Sequence, residues 1–90
     1  MGVLSLVCTV IALSLAPSPV HSQSALLESV KRDPAKAKAL CKQLRQFNSQ
    51  GIPYTSKQAT QQIARQENLS TPDAEVLTTY VVGLHCPDVR

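Results

Sequence analysis

The chain has 90 residues, a formal net charge of +3 and 43% hydrophobic residues, with one Phe, two Tyr and no Trp. This length fits one small domain rather than several. No glycine-rich phosphate loop, nucleophile elbow or CxxC motif occurs in it. The usual sequence patterns of nucleotide-binding proteins, hydrolases and zinc ribbons are therefore missing.

An uncharged apolar stretch opens the chain. Residues 3–16 read VLSLVCTVIALSLA and are followed by PSPVHS. A bilayer span needs about 20 apolar residues, whereas a signal-peptide core is shorter. Val20 and Ser22 stand at positions −3 and −1 of a cleavage site before Gln23. We therefore predict that residues 1–22 are a signal peptide and that residues 23–90 are a small exported helical domain.

One feature departs from an ordinary signal peptide. No Lys or Arg precedes the apolar stretch, so only the terminal amine supplies positive charge there. The signal is then atypical, or the true start codon lies upstream, or the segment stays uncleaved as an N-terminal anchor. Cys8 lies inside the apolar stretch and would leave with the signal peptide.

Cleavage leaves two cysteines, Cys41 and Cys86. Small exported domains commonly carry disulfides, and an even pair of cysteines favours one bridge. A loop of about 45 residues would add roughly 4 kcal/mol of stability in the chain-entropy model. We predict this bridge, provided that the two Cα atoms come within about 7 Å.

Cys86 has two other interpretations, as a metal ligand or as a reactive thiol. A zinc site needs four ligands, but the exported part offers only Cys41, His85, Cys86 and scattered carboxylates. A catalytic thiol needs a base within hydrogen-bond reach, and on a helix His85 would point about 100° away from its neighbour. We therefore predict no metal, no cofactor and no catalytic residue, and so no enzyme.

Helices are the only secondary structure that the sequence favours. A short first helix over residues 24–30 ends at the Asp33-Pro34 step, where Asp33 is the N-cap and Pro34 the first residue of a second helix. Gly51 then takes the left-handed position after that helix. One face of the second helix is apolar, with Cys41 at its edge; the residues of this face are Ala37, Leu40, Leu44 and Phe47.

Two more helices follow the extended connector Ile52-Pro53-Tyr54. Thr55 or Ser56 caps the third helix, which has a weak apolar face. Thr71 caps the last helix, with Pro72 at its first position, and Pro87 ends it. The apolar stripe of the last helix is Ala74, Leu77, Tyr80, Val81 and Leu84. The predicted fold is all-α, a bundle of three to four helices joined by one disulfide.

A basic face lies on the second helix, opposite its apolar side. Lys38, Lys42 and Arg45 share this face. A basic amphipathic helix can lie on an anionic membrane surface, although Lys and Arg on a solvent-facing side are usually only solvated. Nucleic-acid binding is not expected, because no aromatic side chains alternate with the charges.

The run from ALCKQLRQFNSQGIPY through NLSTPDAEVLTTYVVGLHCP resembles the family called domain of unknown function 732, which comprises small exported bacterial proteins. Leu40-Cys41 and Leu44 match its first motif, and Cys86-Pro87 match its last. Here His85 replaces the usual Tyr, and most of the family's N-terminal helical part is missing. The resemblance implies a compact helical fold with bridged cysteines and no known activity.

The expected function is that of an exported binding or structural module of the periplasm or cell envelope. The alternative is a cationic amphipathic peptide that acts at anionic membranes through residues 31–47. The sequence does not identify the partner, which is an envelope protein or an anionic membrane surface in these two cases. Both a monomer and a homodimer stay open, because an interface can complete a thin core.

Overall fold

A computed structural model describes residues 21–90, so the predicted signal peptide lies outside the described residues except for its last two positions. Four helices make up this part, and it contains no strand. They are α1 (Gln23–Arg32), α2 (Pro34–Ser49), α3 (Lys57–Glu67) and α4 (Thr71–His85). The all-α prediction is confirmed, with four helices rather than three. None of them is long and apolar enough to cross a membrane.

Each helix begins with a side-chain cap. The oxygen of the N-cap side chain accepts a main-chain N–H three residues further on, which satisfies a donor that the helix leaves unpaired. Asp33 caps α2 as predicted, with Pro34 in the first turn. The other N-caps are Ser22, Ser56 and Ser70.

The predicted cap of the last helix is wrong by one residue. Ser70 has extended backbone angles and its hydroxyl accepts the N–H of Asp73 at 3.2 Å, so Thr71 is already helical. Ser and Thr are both good N-caps, and proline is tolerated in the first turn, where its missing N–H has no helical partner. The sequence Ser-Thr-Pro is therefore compatible with a helix capped by either Ser70 or Thr71.

Two left-handed residues end the middle helices. Gly51 follows α2 with a φ of 79°, as predicted. Asn68 follows α3 with a φ of 57°, a conformation that Asn adopts more readily than most residues because its short polar side chain can bond locally. The turn at Asn68 directs the chain back into α4.

Helix α4 is the centre of the bundle. It packs against α1, α2 and α3, and α1 also packs against α2. No comparable packing joins α2 to α3 among the described residues. These two helices therefore lie on α4 with an open groove between them.

The buried face predicted for α2 is confirmed, since Ala37, Leu40, Leu44 and Phe47 are all buried. The stripe predicted for α4 is partly wrong, because Leu84 is 51% exposed. Thr78 and Val82 are buried instead, because the central helix is covered on more than one side.

Two leucines of the chain give a matched test of this core. Leu44 is fully buried and Leu84 is half exposed. We expect Leu44→Ala to lower the free energy of unfolding by about 2–5 kcal/mol, because it removes buried apolar contacts and leaves a cavity. Leu84→Ala should change it by less than about 0.5 kcal/mol. Urea unfolding followed by circular dichroism measures both, and equal losses would contradict the burial of Leu44 in the core.

Candidate functional site

The predicted disulfide is present. Cys41 and Cys86 are bonded, with their Cα atoms 6.0 Å apart, and both residues are buried. Cys86 is the C-cap of α4 and has left the helical conformation, so its side chain turns toward α2. The bond therefore ties the end of the central helix to the middle of α2.

An ion pair continues this attachment along α2. Arg45 lies one turn after Cys41, and its guanidinium donates to both carboxylate oxygens of Asp88 at 2.9 Å. Hydrogen bonding between the two groups lowers the pKa of Asp88 and raises the pKa of Arg45. Because the pair is exposed to solvent, it mainly positions the chain and adds little stability.

Asn48 makes a third attachment one further turn along α2. Its amide donates to the main-chain oxygen of Arg90 at 2.7 Å, and its oxygen accepts the N–H of Arg90 at 2.7 Å. The same amide also donates to the oxygen of Ile52 at 3.0 Å. One carboxamide thus holds both main-chain groups of a residue and ties the chain after α4 to the chain after α2.

The spacing of the three attachments explains how the 86–90 segment lies. Its attached residues are 86, 88 and 90, and the segment turns between them, because the N–H of Val89 donates to the main-chain oxygen of Cys86 at 3.0 Å. Their partners on α2, residues 41, 45 and 48, are four and three apart, which is one face of a helix. The segment therefore runs along α2, and this brings Val89 into the core at 5% exposure.

The predicted basic face does not remain one free surface. Arg45 is held by Asp88, whereas Lys38 and Lys42 are exposed and have no ion-pair partner among residues 21–90. Sequence reasoning missed this pairing because Asp88 is 43 residues away from Arg45. It also missed Asn48, for which the sequence carries no signal.

The start of α1 depends on the last residues of the predicted signal peptide. Ser22 caps α1, and the N–H of His21 donates to the buried carboxylate of Asp73 at 3.0 Å. Cleavage before Gln23 would remove both contacts. Elsewhere, Lys36 of α2 pairs with Glu67 of α3 at 2.8 Å, and hydrogen bonding to Glu67 raises the pKa of Lys36.

The part of the chain that the structure describes contains no group of three His, Cys, Asp or Glu residues arranged to hold a metal ion. His85 is half-buried at the end of α4.

Residues 27–86 match a family model described as Domain of unknown function (DUF8664). The chain belongs to this family. The match reaches from α1 to Cys86 and includes both cysteines. It confirms a family of unknown function, although not the particular family 732 that the sequence resembles. No curated protein and no solved structure matches the chain.

The disulfide gives a direct stability test. We expect the double variant Cys41→Ser with Cys86→Ser to lose about 4 kcal/mol of unfolding free energy, since the unfolded chain regains the freedom of a long closed loop. Urea unfolding with and without reductant measures the loss. The unfolding free energy of the wild-type protein should fall by a similar amount in reductant. The double variant is the matched control, because reductant should not change its unfolding free energy. An unchanged midpoint in both would contradict a stabilising bond.

The ion pair gives a test by pH. Since Arg45 lowers the folded-state pKa of Asp88, the ion pair stabilises the folded state at pH values above the unfolded-state pKa of Asp88. This stabilisation is lost as the pH falls through the folded-state pKa of Asp88. We expect Arg45→Gln to raise the pKa of Asp88 toward its usual value, measured by carboxyl NMR titration. Lys42→Gln, on the same helix, is the control and should leave it unchanged. An equal Asp88 pKa in wild type and Arg45→Gln would contradict the pairing.

Proposed function

We propose that the protein is an exported helical module, stapled by one disulfide, that binds or organises another component of the periplasm or cell envelope. The observation that carries this proposal is the buried Cys41–Cys86 bond. Structural disulfides form and persist in oxidising compartments and are rare in the cytosol. The bond therefore supports a location outside the cytosol.

The apolar segment ahead of the domain supports the same location. Residues 3–16 have the length and composition of a signal-peptide core, and the folded helices start directly after the proposed cleavage region. The likeness to the exported family 732 also agrees with this proposal, through the residues around Cys41 and Cys86. On this view residues 1–22 direct export, and the helical domain performs the function.

The membrane-active peptide is the weaker alternative. A helix that lies on a membrane inserts an apolar face below the headgroups. In α2 that face is buried against the rest of the bundle, because Leu40, Leu44 and Phe47 are at most 8% exposed. Binding through Lys38 and Lys42 alone would be electrostatic and sensitive to salt. The function of a folded binding or structural module is therefore better supported than that of a membrane-active peptide.

The intact mass of the protein from its native compartment tests the proposal. We expect a chain that begins at Gln23, whether or not this glutamine has cyclised with loss of ammonia, and that gains two hydrogens on reduction. The same sample prepared in reductant and alkylated is the control for disulfides formed during handling. A chain that retains residues 1–22, or one with two free thiols, would contradict export with a formed bridge.

A further inference from the structure

A glutamine-rich groove lies between α2 and α3. It has a volume of about 510 Å³ and forms because α4 holds these two helices apart. Phe47 lies at its base, and Lys42 is the single charged residue in its wall. The glutamines in its wall are Gln43, Gln46, Gln50, Gln58 and Gln62.

The glutamines form two facing rows. On α2 and its C-cap they stand at positions 43, 46 and 50, and on α3 at 58, 62 and 66, so each row follows one helix face. Gln43 and Gln66 exchange two side-chain hydrogen bonds of 2.9 Å and close the groove at one end. Gln50 and Gln58 lie at the other end, beside the connector between the helices.

The remaining four glutamines are free to bind. Gln46, Gln50, Gln58 and Gln62 are exposed, and within residues 21–90 their side-chain amides have no hydrogen-bond partner. Each amide offers both a donor and an acceptor. The groove therefore presents paired donors and acceptors on two opposite walls.

We propose that this groove binds an extended peptide segment of a partner protein through its main chain. The proposal deepens the proposed binding function and rests on it. A carboxamide can donate to the main-chain oxygen of a residue and accept from its N–H, and Asn48 makes such a pair of contacts within the molecule. Asn48, also on α2, holds both main-chain groups of Arg90 at 2.7 Å.

The spacing of the rows suits an extended chain. Gln46 and Gln50, like Gln58 and Gln62, are four residues apart, which is about 6 Å along a helix. Residues on one side of an extended peptide repeat about every 6.6 Å. Neighbouring amides on each wall can therefore contact successive main-chain positions of one bound strand.

Charge selects among such peptides. Because Lys42 is the only charged residue in the wall, the groove favours a segment that carries an Asp or Glu near one end. Phe47 adds an apolar contact at the base, although at 8% exposure it adds little area. The partner is thus an acidic, extended peptide segment whose backbone supplies most of the contacts.

Selection from a random heptapeptide library displayed on phage, against the protein purified from its native compartment, tests the proposal. We expect the selected peptides to be enriched in Asp and Glu. Binding of a synthetic selected peptide should weaken about tenfold or more in the double variant Gln46→Ala with Gln62→Ala, which removes hydrogen bonds on both walls. Gln61→Ala is the matched control, because Gln61 is exposed on α3 and lies outside the groove.

A second measurement separates main-chain from side-chain recognition. N-methylation of alternate peptide amides removes main-chain donors, so it should abolish binding even though the peptide side chains are unchanged. Recovery of no binding peptide, equal binding by the double variant, or full binding of the N-methylated peptide would overturn the proposal. Binding of a peptidoglycan disaccharide through Gln46 and Gln62 instead would also overturn it. The mass experiment is independent, so an exported, bridged protein with an empty groove would refute only this inference.

Discussion

The bond between Cys41 and Cys86 joins the two elements on which the rest of the bundle depends. Cys86 ends the central helix α4, and Cys41 lies in the middle of α2. From this link the chain continues along α2, where Arg45 and Asn48 hold it. The domain has few aromatic residues, and small domains bury a smaller fraction of their surface than large ones. Hydrophobic burial in so small a core provides limited stability, and a covalent link inside the core therefore adds to it.

Central placement of α4 explains why a polar helix such as α3 is stable. Its apolar residues are few, but Ala59, Ile63 and Ala64 are at most 6% exposed and α3 packs directly on α4. Most helical stability in proteins comes from such packing rather than from propensity. Its opposite side can then remain rich in glutamine. The same arrangement separates α3 from α2 and leaves the groove open between them.

Electrostatic contacts divide the basic residues of α2 into two groups. Arg45 and Lys36 are paired with Asp88 and Glu67, which lie in the 86–90 segment and in α3. Lys38 and Lys42 face solvent without an ion-pair partner among the described residues. The first group positions neighbouring segments of the chain, and the second is available to a ligand. A count of charges along the sequence cannot separate them, because the partners are distant in sequence.

Local chemistry in the sequence was enough to predict the helices, the cap at Asp33, the left-handed Gly51 and the buried face of α2. These features depend on residues a few positions apart, which a periodic pattern records. The disulfide followed from counting the cysteines that remain after the predicted signal peptide. By contrast, the exposure of Leu84, the pairing of Arg45 and the clamp at Asn48 depend on which helix lies beside which. The glutamines of the two rows can be read from the sequence, but only the packing of α2 and α3 on α4 places them across a groove. Contacts between residues that are distant in sequence arise from the tertiary structure.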